Sequence, residues 1–189
     1  MRLALLSFLF FACPALAQPS PEVVSQLREG GYVLYLRHTS TDFSRNDSRM
    51  TSFEDCASQR NLTDRGRDEA RAIGEHVKRL RIPIGEVLAS PFCRTMETAR
   101  LAFGKATATG DVRGGPASDV AGRYAALRKL LSTEIPKGQN LVISSHGNPF
   151  HAVAGPPYLA EGEMAVVKPE GERFNVVARL PLDAWPRLE

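Results

Sequence analysis

The sequence predicts an α/β protein, a three-layer α/β/α sandwich whose central sheet is mostly parallel with an antiparallel edge. Three observations carry that expectation. The runs "YVLYL" (Tyr32 to Leu36), "IGEVLAS" (Ile84 to Ser90) and "NLVISS" (Asn140 to Ser145) lack the alternation of half-exposed strands and read as strands covered on both faces. Helical patterns lie between them. Near the end, "EMAVVK" and "FNVVARL" flank the turn "PEGER" and read as a closing hairpin.

The first residues stand apart from this pattern. Arg2 precedes "LALLSFLFFA", followed by Cys13-Pro14 and Ala15-Leu16-Ala17. A basic start, an apolar run and a small-x-small site are the marks of a secretory signal peptide, here residues 1–17. The run is short for a membrane span. An uncleaved anchor and lipidation of Cys13 are the competing readings. Cleavage after Ala17 leaves residues 18–189 as a single domain in the periplasm or outside the cell, with no stable membrane insertion.

Next, "PEVVSQLREGG" reads as a helix, with Pro21 and Glu22 in its first turn and Gly30-Gly31 ending it. The first strand runs into Arg37-His38. The polar stretch from Thr39 to Arg60 is long for a connection, and such loops are often functional. "LTDRGRDEARAIGEHVKRL" is the strongest helix: Thr63 suits an N-cap, and Ala70, Ile73, Val77 and Leu80 recur at helical spacing. After the second strand, Ser90-Pro91 has the form of a cap followed by proline at the first helical position, opening "PFCRTMETARLAF". A glycine-rich connection, "GKATATGDVRGGPAS", leads to the helix "VAGRYAALRKLLS". Beyond the third strand, His146-Gly147-Asn148 opens a short helix to about Val153.

Composition narrows the function. With 189 residues, 43% of them hydrophobic, the chain can bury a substantial core. A net charge of only +3 argues against nucleic acid or an anionic membrane surface as partner. Cys13 would leave with the signal, so Cys56 and Cys93 remain as an even pair in an exported chain. They are expected to form a disulfide, the alternative being two buried thiols. No second pair of soft ligands stands at a spacing suited to a metal, and no cofactor is expected.

In doubly wound sheets, sites form beyond the carboxyl ends of the strands. Three strands here end in related chemistry: Arg37-His38, Ser90 with Arg94 one helical turn on, and His146-Gly147-Asn148. If the strands are neighbours, two arginines and two histidines share one crevice. Guanidinium forks can grip phosphoryl oxygens. A neutral imidazole can attack phosphorus and form a phosphohistidine, while a second binds an equatorial oxygen. A carboxylic acid must still protonate the leaving alkoxide.

The segments "LYLRHTST", "NLTDRGRDEA", "SPFCRTMETA" and "VISSHGNP", in this order, resemble the histidine phosphatase superfamily with its phosphoglycerate mutase-like fold, and in particular its small exported bacterial branch. The resemblance covers most of the chain between Tyr32 and Pro149. It implies His38 as the phosphorylated nucleophile, with Arg37, Arg94 and His146 completing the phosphate pocket. It also implies backbone contacts from Gly147 and Asn148, and close packing at Gly66.

Three departures from the family pattern bear on the substrate and the acid. Thr39 stands where many members carry glycine, and Ser44 where mutases carry asparagine; both are expected at the substrate. The usual glutamate acid is missing between Lys105 and Lys129. Glu163 is the first candidate to replace it, then Glu161, then Asp119, against the alternative that the two glutamates are solvated loop residues. The expected function is an exported phosphomonoesterase acting on a phosphorylated small molecule or envelope phosphate. A phosphomutase and a catalytically weak module that binds phosphorylated ligands are the alternatives.

Overall fold

A computed structural model describes residues 21–113, 122 and 124–188. The signal-peptide segment, including Cys13, and the acid candidate Asp119 lie outside the described residues.

Helix α1 (Pro21–Glu29) leads into β1 (Val33–Arg37), which occupies the middle of a six-stranded sheet. The other strands are β2 (Ile84–Ala89), β3 (Thr107–Ala108), β4 (Asn140–Ser145), β5 (Met164–Glu170) and β6 (Arg173–Leu180). Their spatial order is β3-β2-β4-β1-β5-β6. β1 to β4 pair in parallel, whereas β5 and β6 add an antiparallel edge to β1. The expected mixed sheet is therefore present, with the hairpin where the sequence predicts it.

Alternate residues of β1 face two separate cores, as a strand covered on both sides requires. Leu34 and Leu36 pack with Val23 and Leu27 of α1, Ile73 and Val77 of α2 (Asp64–Arg79), and Trp185 from the C-terminal segment. Val33 and Tyr35 pack with Leu127 and Leu131 of α4 (Ala125–Ser132) and Phe150 and Val153 of α5 (Gly147–Ala154). Helix α3 (Cys93–Phe103) lies beside α2 on the first face. No described helix is long and apolar enough to cross a membrane.

The start of α2 matches its sequence signal: Thr63 Oγ1 accepts from Gly66 N at 3.0 Å. The start of α3 does not. Ser90 caps nothing, because its N–H extends the β2–β4 ladder to Ser144 O at 3.0 Å and its hydroxyl is drawn to His146. The helix begins at Cys93, after Phe92. The glycine-rich connection also holds more structure than its composition suggests, namely β3 and a 3-10 turn at Gly110–Val112.

Cys56 and Cys93 form a disulfide across 37 positions of sequence, as expected. It ties the long loop after β1 to the first residue of α3.

Candidate active site

Parallel pairing sets Leu36 beside Ser144 and Arg37 beside Ser145, and Ala89 beside Ser144 on the other side of β4. The carboxyl ends of β1, β2 and β4 are thus adjacent, and Arg37, His38, Arg94 and His146 meet there. They line a cleft of about 310 Å³ together with Gly147, Asn148, Asp47, Arg60, Phe92 and Tyr158.

His38 is 1% exposed. Its N–H donates to Ser145 O at 2.9 Å, and Nδ1 lies 3.0 Å from Thr39 O. A carbonyl only accepts, so the ring proton resides on Nδ1 and Nε2 keeps its lone pair. Burial, reinforced by the positive charge of Arg94, Arg37 and Arg60, outweighs the Thr39 hydrogen bond and pushes the His38 pKa down to about 3. At neutral pH the imidazole is uncharged, the form a nucleophile requires.

His146 lies edge-on to His38, with ring centres 5.5 Å apart. Its Nε2 is 2.9 Å from Ser90 Oγ, its carbonyl accepts from Tyr35 Oη at 2.7 Å, and Phe92 packs against its ring. Burial first, then the arginine charges and His38, hold its pKa well below the ordinary value.

Each pocket arginine is fixed from one side. Arg37 donates to Leu159 O at 2.6 Å and lies 3.6 Å from Glu161. Arg94 reaches Asp47 Oδ1 at 3.1 Å and Arg60 O at 3.3 Å. The Nε atoms of Arg37, Arg60 and Arg94 are all buried with no hydrogen-bond partner among the described residues. Three guanidinium groups around one cleft are a site for a multivalent anion.

The two glutamates have different surroundings. Glu161 accepts from Thr41 N at 3.1 Å and Thr41 Oγ1 at 2.7 Å, and lies 3.7 Å from His38 Nδ1. Glu163 accepts from Ala160 N at 2.8 Å and faces Arg179 at 3.7 Å. Glu161 therefore stands closer to the reacting histidine than Glu163, and neither lines the cleft; among the described residues, the carboxylate that does is Asp47.

Two loop residues expected at the substrate sit elsewhere. Thr39 is fully buried against Thr98 of α3, and Ser44 hydrogen-bonds Asp42 on the exposed loop. Gly66 does serve close packing, since a Cβ there would lie 2.1 Å from Ser40 O. Sequence reasoning missed Arg60, Asp47, Tyr158 and the role of Ser90. A polar loop of functional length was the one signal pointing toward Asp47 and Arg60.

Comparison with known proteins agrees with this fold. The family model described as "Histidine phosphatase superfamily (branch 1)" matches residues 33–113, which include Arg37, His38 and Arg94. No curated protein sequence matches the chain. Among solved structures, the protein histidine phosphatase SixA complexed with tungstate is similar at TM-score 0.55 and 23% identity, over 80% of this chain and 97% of that one. The mycobacterial glucosyl-3-phosphoglycerate phosphatase is similar at TM-score 0.56 and 16% identity, over 78% and 97%. A phosphoserine phosphatase variant from Entamoeba histolytica complexed with phosphoserine is similar at TM-score 0.56 and 11% identity, over 81% and 98%. At these identities the likeness is one of fold.

Proposed function

We propose that this chain, which belongs to the histidine phosphatase superfamily, is a phosphomonoesterase that works through a phosphohistidine on His38. The observation that carries the reading is a neutral, buried imidazole with its proton on Nδ1, in a cleft lined by three guanidinium groups. Nε2 attacks phosphorus in line and the ester oxygen departs, so the P–O bond breaks as the N–P bond forms. Arg37, Arg60 and Arg94 balance the charge on the equatorial oxygens, and the His146 ring hydrogen-bonds one of them. Water then attacks phosphorus, returning phosphate and free His38.

Among the described residues, Asp47 is the carboxylate best located to exchange a proton with the leaving group, because it lines the cleft, whereas Glu161 stands behind the imidazole at Nδ1. Glu161 instead steadies Arg37 and the Nδ1 proton, and Glu163 holds the loop that enters β5. Phosphate release from glycerol phosphate and from phenyl phosphate tests the reading. Wild type should turn over both, and Asp47→Asn should lose more of the glycerol phosphate activity, since a phenolate needs little protonation. Equal losses on both would remove Asp47 from that role.

Export is part of the same proposal. It is supported by the n-region, apolar run and small-x-small site in residues 1–17 and by the Cys56–Cys93 disulfide. The mature N-terminus of protein recovered from the periplasm should be Gln18. Full-length protein retained in the cytoplasm would contradict export.

A further inference from the structure

Among the described residues, the large hydrophobic side chains with strong exposure are Phe43 at 69% and Tyr158 at 45%. Scattered exposed apolar residues are ordinary on a protein surface. Both of these rings meet an arginine. The guanidinium carbon of Arg60 lies 4.6 Å from the centre of the Phe43 ring, and that of Arg37 lies 5.2 Å from the Tyr158 ring. Each exposed ring is therefore stacked on an arginine that lines the phosphate cleft. One face steadies the guanidinium, and the exposure leaves other ring surface open to a ligand.

Tyr158 is held in this position from two directions. Its hydroxyl donates to Asn148 Oδ1 at 2.6 Å. Gly147 leaves room for the ring, since a Cβ there would lie 2.2 Å from Tyr158 Cε1. Phe43 does not itself line the cleft and meets it through Arg60, on whose guanidinium its ring stacks. A phosphate gripped by the arginines thus places its ester substituent beside aromatic surface.

We infer that Phe43 and Tyr158 form a leaving-group subsite for a planar, π-rich ring. The preferred substrates are phosphate esters whose alcohol carries such a ring, an aryl group or a nucleobase. The inference rests on the phosphatase reading for the direction in which the ester projects, and ring binding is measurable apart from turnover.

The experiment compares kcat/KM for adenosine 5′-monophosphate, phenyl phosphate and glycerol phosphate in wild type, Phe43→Leu, Tyr158→Leu and Tyr158→Phe. Calorimetry on His38→Ala, alone and combined with Phe43→Leu, measures binding of adenosine 5′-monophosphate and inorganic phosphate without turnover. Wild type should favour a ring-bearing ester over glycerol phosphate, and losing a ring should lower that preference about tenfold, mainly through KM. Tyr158→Phe keeps the ring and should keep the preference. Loss of the adenosine preference in both leucine variants points to a nucleotide. Loss of the phenyl preference in Tyr158→Leu alone points to an aryl ester. Equal losses on all three substrates would overturn the subsite, leaving the rings as supports for the arginines. Turnover without ring preference would sink the subsite alone. Absence of any turnover, with tighter adenosine 5′-monophosphate than phosphate binding that Phe43→Leu abolishes, would sink the phosphatase reading and keep the subsite.

Discussion

Ser90 Oγ lies 2.9 Å from Nε2 of His146, so the end of β2 sets the orientation of a ring at the end of β4. Both residues are buried, and the hydroxyl is the hydrogen-bond partner of that nitrogen. Ser90→Ala leaves the nitrogen unsatisfied, which costs roughly 1–3 kcal/mol of stability. It also frees the ring, so kcat should fall about tenfold or more on every phosphate ester, while Ser90→Thr restores part of it. Equilibrium unfolding and initial rates check the two effects separately.

Asp47 occupies one Arg94 donor at 3.1 Å, where it competes with an incoming anion. Asp47→Asn removes a like charge from the phosphate site yet keeps an oxygen for the Arg60 N–H. Inorganic phosphate should bind Asp47→Asn about three- to tenfold more tightly, by calorimetry, with the difference shrinking as salt is added. Weaker binding would mean that Asp47 chiefly orders the arginines.

The histidines give stability a defined pH dependence. The folded-state pKa of His38 is about 3 and the ordinary value is 6.5. Between those values the unfolded chain binds the additional proton, so stability falls as pH drops from 6.5 toward 3 and is level above 6.5. His146, also lowered by burial, acts in the same direction. Urea midpoints for wild type should therefore fall between pH 7 and pH 5, and the slope should be shallower in His38→Asn. An unchanged slope would contradict the neutral buried imidazole.

Gly66 and Gly147 both exclude a Cβ, but against different neighbours. The obstacle at Gly66 is the Ser40 backbone, which also accepts from Thr63 N. At Gly147 it is the side chain of the half-exposed Tyr158. Gly66→Ala should destabilise by about 1–3 kcal/mol, despite the usual helical gain from alanine. Gly147→Ala should cost less stability, because Tyr158 can swing aside, and should weaken substrate binding instead. Thermal melts and KM values distinguish the two.

The disulfide joins the loop bearing Asp47 and Arg60 to the helix bearing Arg94. Cys93→Ser should cost about 4 kcal/mol, given the length of the loop closed. It should also raise KM by loosening the arginine cluster. Melting under reducing and oxidising conditions reads the first effect, and titration with phosphate reads the second.

The core of the site was legible because each contributing strand is an apolar run and His38, Arg94 and His146 follow those runs at short distance. Thr63 was legible as a cap because its partner, Gly66 N, is local. Ser90 misled because the same Ser-Pro pair that suits a helix start also extends a sheet ladder, and the choice is made by Ser144 and His146, both far away in sequence. Asp47 and Arg60 sit in a loop without periodicity, so nothing local aims them at the cleft. Glu161 and Glu163 are two positions apart, and what separates them is tertiary: Thr41 takes the first and Arg179 faces the second.

The central claim is that phosphate passes through a bond to His38. Rapid quenching of wild type with a 32P-labelled phosphomonoester, followed by mapping of the labelled peptide, tests it most directly. The account predicts acid-labile, base-stable label on the peptide containing His38, and none in His38→Ala. Turnover by wild type without trapped label, or label and turnover retained in His38→Ala, would contradict it.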